Sequence, residues 1–454
     1  MSLKDESNDE ILSWPVVRAE LKVDMPGGAA ILRQKSFQIE PTKLVMKIKN
    51  ALVTAASVCG LFLTVQSGFA QGSLTPPGAP APTMKTLAQI EPRTPISSLP
   101  FTISASGSYY LTTTLTATTS NSIFINANGV TLDLNGFTIS STVANAASGG
   151  AAILVGDMLN DITIRNGHIR GGVTQSSETY SGSGFAYGIY NNSDTQPENV
   201  HIADVTITGC LYDGINFNEY GGASTFVDSC IVQNVGGYGI VVGTVSRSIA
   251  IAGLTGIEAT TVSDSYGTCT GSGAGLSADE ANNCQGFTEG SGAGLSASQA
   301  INCAGFSYGP GAGLSASSVA TGCYGTSDSG PGLSAETANN CVGVSYVSGN
   351  GLNATVATGC YGSSISGWGV SAILATGCYG TSSNGFVGLY AESAVNCVGI
   401  GVSATGLYAP IIALGCYGNT STGNVGLSAN LANSCIGTKN GAYSVSDIYK
   451  YNMP

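Results

Sequence analysis

Gly275-Leu276-Ser277-Ala278-Asp279-Glu280-Ala281-Asn282-Asn283-Cys284-Gln285-Gly286 is followed, 19 residues on, by Gly294-Leu295-Ser296-Ala297-Ser298-Gln299-Ala300-Ile301-Asn302-Cys303-Ala304-Gly305. The second residue of this Gly-Leu-Ser-Ala-like unit recurs at Ile257, Leu276, Leu295, Leu314, Leu333, Leu352, Val370, Leu389, Leu407 and Leu427, at intervals of 19, 19, 19, 19, 19, 18, 19, 18 and 20. A cysteine with glycine two residues later closes each of the nine units from Leu276 on, at Cys284, Cys303, Cys323, Cys341, Cys360, Cys378, Cys397, Cys416 and Cys435. Two short β-like runs in about 19 residues make one coil of a β-solenoid, whereas helical repeats need about 33 residues or more. Leu and the following Ala share parity and face inward, as do Cys and its Gly on the next run. The residue before each Cys is Asn, Gly or, once, Ser, so the chain turns a corner there through positive φ.

Outward from this block the pattern loosens. Residues 101–264 read as larger, less regular coils, with Asn135-Gly136 and Asn166-Gly167 as corners between alternating runs; a hairpin would use the same dipeptide. Gly188-Ile189, Gly214-Ile215 and Gly239-Ile240 read as early members of the Gly-Leu ladder. The expected fold is all-β, a single solenoid of about sixteen coils, roughly 75–80 Å long at the usual strand spacing.

Composition agrees with a core of small side chains: 64 glycines in 454 residues, 43% hydrophobic and only 9% charged residues. That rules out a coiled coil, a charge-rich disordered chain and, lacking a three-residue period, collagen. Net charge is −12, and residues 248–438 contain no Lys, Arg or His. A surface without cations cannot neutralise phosphates, which excludes nucleic acid and anionic lipid as partners there.

Gly107-Ser108-Tyr109-Tyr110-Leu111, leading to Val130-Thr131-Leu132-Asp133-Leu134-Asn135-Gly136-Phe137-Thr138-Ile139, resembles the first coils of secreted bacterial right-handed parallel β-helix repeat proteins of the pectin-lyase-like fold. The resemblance covers roughly residues 100–440 and implies right-handed winding. It implies no single activity, because the fold serves lyases, glycosidases and adhesins.

Before the repeats, Met46-Lys47-Ile48-Lys49, the apolar run Ala51 to Val65 and Gly68-Phe69-Ala70 read as a signal peptide over 46–70, cleaved after Ala70. Residues 1–45 read as an upstream extension from a misassigned start, 71–100 as a Pro-rich linker or cap, 265–438 as the regular repeat and 439–454 as a C-terminal cap. The expectation is a secreted or cell-surface protein with no transmembrane anchor in its mature chain.

Three constellations carry the functional expectations. The nine-cysteine ladder reads as a structural column of buried thiols; neither Cys-x-x-Cys nor a nearby His marks a metal site. Tyr324, Tyr361, Tyr379 and Tyr417 have the opposite parity to the cysteines, with Val342, Val398 and Ile436 between them, and would form an outward stripe able to stack on sugars or on another protein. Asp133, Asp157, Asp161, Asp204, Asp213 and Asp228, with Arg165, Arg170, His168 and His201, lie in the irregular coils, where loops can wall a cleft. The resemblance to uronic acid lyases implies acidic residues holding calcium and a basic side chain taking a proton; an aspartate at a corner also serves simply as a turn residue. The leading expectation is a non-enzymatic exported protein, structural or adhesive, binding a polysaccharide or cell-surface macromolecule without a cofactor. The alternative is a lyase or glycoside hydrolase acting on an acidic polysaccharide, with calcium if a lyase.

Overall fold

The computed structural model describes residues 92–176, 179–191, 195–218, 224–384 and 386–452. The signal peptide and upstream extension expected over 1–70 lie outside the described residues. The described chain is a parallel β-solenoid of about 18 turns, 61% strand. This exceeds the sixteen coils expected, because Thr94–Ile96, inside the Pro-rich stretch, already pairs in parallel with Tyr109–Leu111.

Three parallel sheets line the coil. Sheet A begins with Thr94–Ile96 and ends on Tyr449–Tyr451. Sheet B begins with Leu115–Ala117, pairs Thr138–Ser140 with His168–Arg170, and ends on Ile436–Lys439, against which Ala442–Tyr443 folds back antiparallel. Sheet C begins with Phe101–Ile103 and passes through Ile189, Ile215, Ile240 and Ile257 into the Leu276 ladder. In the regular repeat, sheets C and A share one strand, such as Leu276–Asn282, and sheet B takes the next, Gln285–Thr288.

The corner between sheets A and B is one column of left-handed residues. Asn135, Asn166, Asp204, Ser229, Arg247 and Asp264 precede Asn283, Asn302, Gly322 and so on to Asn452, all with φ between 47° and 63°. Where Gly follows Asn in this column the fit is close: a Cβ on Gly359 or Gly415 would lie 2.6 or 2.5 Å from the Oδ1 of Asn340 or Asn396 in the preceding coil.

The interior changes along the chain. Ile162, Ile164, Ile169, Val200, Ile202 and Ile207 fill the early coils, whereas Leu295, Ala300 and Cys303 fill a later one. There the wall of sheet B meets the start of sheet C backbone to backbone: a Cβ on Gly305 would sit 2.1 Å from the carbonyl oxygen of Gly313. Glycine is therefore a packing requirement, and it accounts for part of the glycine richness of the sequence.

Two further departures concern the irregular segment. Its last coils are short: Thr244 to Thr261 takes 17 residues. An antiparallel hairpin, Gly172–Ser176 with Thr179–Ser183, stands outside the parallel sheets.

Candidate functional site

Asp133 is buried and fully engaged. Arg165 Nη2 donates to its Oδ2 at 3.2 Å, Asn166 Nδ2 to Oδ1 at 3.1 Å and the Asn135 backbone N–H to Oδ1 at 2.8 Å, while Arg93 approaches to 3.9 Å. Arg165 is thereby committed to the wall of the solenoid. Asp161 and Asp204 are corner residues at φ 59° and 55°, Asp161 accepting from Asn199 Nδ2 at 2.6 Å. Asp228 accepts from Ser246 Oγ and Arg247 Nη2, both at 2.5 Å. Burial works against its charge, but these hydrogen bonds outweigh it and hold the carboxyl below its ordinary range. Asp213 is raised by burial, against hydrogen bonds from the Tyr238 N–H and Asn216 Nδ2 at 2.8 Å each. Asp157 and His201 are exposed. Asp161 and Asp204 stand at opposite edges of sheet A on neighbouring coils, and no three His, Cys, Asp or Glu side chains among the described residues are placed to hold a metal ion.

Sheet B brings together two sets that the sequence presented apart. His168 and Arg170 alternate outward on the strand ending at Arg170, and with Thr138, Ile169, Thr206, Thr208 and Asn234 they line a groove of about 390 Å³. In register with His168 lie Thr206, Ile231, Ile249, Tyr266, Gln285, Ala304, Tyr324, Val342, Tyr361, Tyr379, Val398, Tyr417 and Ile436. The tyrosine stripe and the histidine are thus members of one outward column. A second groove, about 520 Å³ in volume, opens on this face around Ile249, Tyr266 and Gln285. Tyr324, Tyr361, Tyr379 and Tyr417 are each 37–38% exposed, and the rings of Tyr361 and Tyr379 stack at 5.5 Å and 12°. Irregular coil lengths hid this alignment, since no fixed spacing links His168 to Tyr266.

The cysteine ladder faces the interior, every member at most 3% exposed, and the described cysteines are all free thiols. Its role is legible from the corner. The N–H after each left-handed residue points into the core and needs an acceptor. For Cys284, Cys341, Cys378, Cys397 and Cys416 that acceptor is the Sγ of the next coil's cysteine, at 3.4–3.5 Å. Ser248 and Ser265 fill the same column in the coils before, accepting from the N–H groups of Cys230 and Ser248 at 3.1 Å. Hydrogen bonds between neighbouring thiols divide the ladder, pushing Cys303, Cys341 and Cys378 up and Cys284, Cys323 and Cys360 down.

One cluster went unread in the sequence: Tyr187 and Tyr190 stack at 4.0 Å beside Tyr212 and Asp213. Burial first, then the neighbouring Tyr190 and Asp213, push Tyr187 up to about 12.

No family model matches the chain, and no curated protein matches it. Among solved structures it is similar to the Dettilon tailspike protein gp208, at 10% identity and a TM-score of 0.28, covering 78% of this chain and 61% of that one. It is also similar to the A-module of the Azotobacter vinelandii mannuronan C-5 epimerase AlgE6, at 12% identity and a TM-score of 0.29, covering 77% and 91%. The chain thus spans under two thirds of the tailspike.

Proposed function

We propose that this chain is an exported, non-enzymatic solenoid that binds a long polymer, a polysaccharide or another cell-surface macromolecule, along the outer face of sheet B. The observation that carries the reading is the outward column from Thr138 to Ile436, with two grooves on its early coils and half-exposed tyrosines on its later ones. A ligand spread over many coils gains a small stacking contribution at each ring, about 0.5–1.5 kcal/mol beyond area burial for an aromatic pair. Among the described residues no helix is long and apolar enough to cross a membrane. Pull-down of the full chain with a panel of insoluble polysaccharides tests the reading: Tyr361→Ala with Tyr379→Ala is expected to weaken retention on at least one of them, and unchanged retention on all of them would refute it.

The His168–Arg170 groove supports a second reading, action on an acidic polysaccharide, because it places an imidazole and a guanidinium in one groove at one end of the column. Incubation with polygalacturonate and alginate in the presence of calcium, following unsaturated products and reducing ends, decides between them. Product lost in His168→Ala and Arg170→Ala would establish the enzyme; no product from either substrate leaves the binder.

A further inference from the structure

Sheet C carries a second, separate feature. Its outward column repeats serine coil after coil, Ser277, Ser296, Ser315 and Ser334, then Asn353 and Ser371. Two coils break the run with Tyr390 and Tyr408, after which Ser428 resumes it. At the same place stands Trp368, whose ring stacks on Tyr390 at 4.9 Å and 20°, while Tyr408 is tilted by 54° against Tyr390 at 5.7 Å. Phe386 packs edge-on against Trp368 at 6.3 Å. Two amides border the rings: Asn350 accepts from the backbone N–H of Trp368 at 3.0 Å through Oδ1 and donates through Nδ2 to Asn353 Oδ1 at 2.9 Å.

We infer that Trp368, Tyr390 and Tyr408, edged by Asn350 and Asn353, form a binding platform for a neutral glycan chain. Aromatic rings set side by side on successive coils can meet the C–H faces of pyranose rings, and the bordering amides offer donors and acceptors to hydroxyl groups. Charge selects against uronates and sulfated sugars: residues 248–438 hold no cation, and Glu392 lies in the neighbouring column. Size selects against a folded protein partner. Four rings of about 150–250 Å² each, about half exposed at most, offer roughly 300–500 Å², well under the about 800 Å² that each side of a standard interface buries. The exposed aliphatics Ile373 and Ile411 lie on the strands Val370–Thr376 and Leu407–Leu414, and the strand between these two carries Glu392. This site is independent of the one on sheet B, and either can fail alone.

The chain has two tryptophans, Trp14 and Trp368, so Trp14→Phe in the full chain leaves Trp368 as sole reporter. Its emission is followed while soluble neutral glucan, mannan, xylan and galactan are added, with polygalacturonate as the anionic counterpart. A saturable shift with at least one neutral polymer and none with polygalacturonate is expected. Tyr390→Ser with Tyr408→Ser restores the residue of the surrounding coils, so the fold is retained and far-UV circular dichroism verifies it. That pair is expected to weaken binding roughly tenfold or more, while Tyr361→Ala and Tyr379→Ala on sheet B leave the signal unchanged. Emission indifferent to all four neutral polymers, a response carried by polygalacturonate, equal loss in the sheet B variants, or Trp368-dependent self-association in sedimentation would each overturn the inference.

Discussion

The irregular coils and the regular repeat share one frame and fill it differently. Both halves use the three sheets and the left-handed corner column, yet a coil takes 32 residues from Val130 to Ile162, 38 from Ile162 to Val200 and 19 from Leu276 to Leu295. The surplus leaves as loops and as the hairpin Gly172–Ser183, while the interior stays one coil thick. The early half is held by large aliphatic side chains, the later half by glycine contacts and a thiol ladder. The lesson is that the hydrogen-bonded frame sets the coil, and the interior has only to fit it.

Backbone contact gives the sharpest contrast. Gly305→Val puts a side chain where its first carbon already lies 2.1 Å from a carbonyl, and is expected to abolish cooperative folding of the repeat half. Gly136→Ala in the early half meets nothing within 4 Å and carries only the strain of φ 76°, about 1 kcal/mol. Thermal melts by far-UV circular dichroism compare the two, and equal losses would dissolve the distinction.

Interior substitutions come next. Ile202→Ala removes a fully buried side chain and is expected to cost about 2–5 kcal/mol. Cys360→Ala deprives the Cys341 N–H of its acceptor and should cost about 1–3 kcal/mol, whereas Cys360→Ser, the residue nature places at Ser248 and Ser265, should restore most of it. Urea titrations rank the three; a serine variant no better than alanine would show that the ladder acts by volume alone. Thiol titration of the denatured, unreduced chain is expected to find every cysteine reactive.

The smallest effects are electrostatic, and they have opposite signs. Asp228 is held below its ordinary range, so its contribution is present at neutral pH and is lost as pH falls through its folded value. Asp213 is raised, so its contribution is present in acid and is lost as pH rises through its folded value. Relative to the parent chain, Asp228→Asn should therefore be worse at pH 7 than at pH 3, and Asp213→Asn better at pH 7 than at pH 3. With Arg247 largely exposed, the Asp228 effect should stay at or below about 1 kcal/mol. Melting temperatures across that range decide; parallel curves would remove both assignments.

The period, the corner and the inward parity of Leu, Ala and Cys were legible in the sequence because a repeat averages local ambiguity over nine copies. What was not legible had no such averaging. Arg247 sits in the corner column although its side chain gives no hint of positive φ, and the hairpin Gly172–Ser183 shows no alternation of apolar residues. Thr94–Ile96 was hidden by Pro92 and by Pro95 in its middle, although a strand paired on one side needs no donor on its open side. The sheet B column needed the register across coils of unequal length. Trp368 and its neighbours broke the serine run at Tyr390 and Tyr408, a signal that was present in the sequence and overlooked beside the louder cysteines.

The last coil has a consequence of its own. Opposite Ala429 and Ala432, where earlier coils repeat alanine, stand Asp447 and Lys450. Every earlier coil presents its successor with a finished template of donors and acceptors, much as the tip of a growing fibre does for the next monomer. Lys450, exposed at the register of Ala432, changes that template: a strand pairing onto Val445–Tyr451 would gain the same ladder only by crowding an amine that prefers water. The coil that carries it is therefore a poorer seed for further pairing than the alanine-lined coils before it.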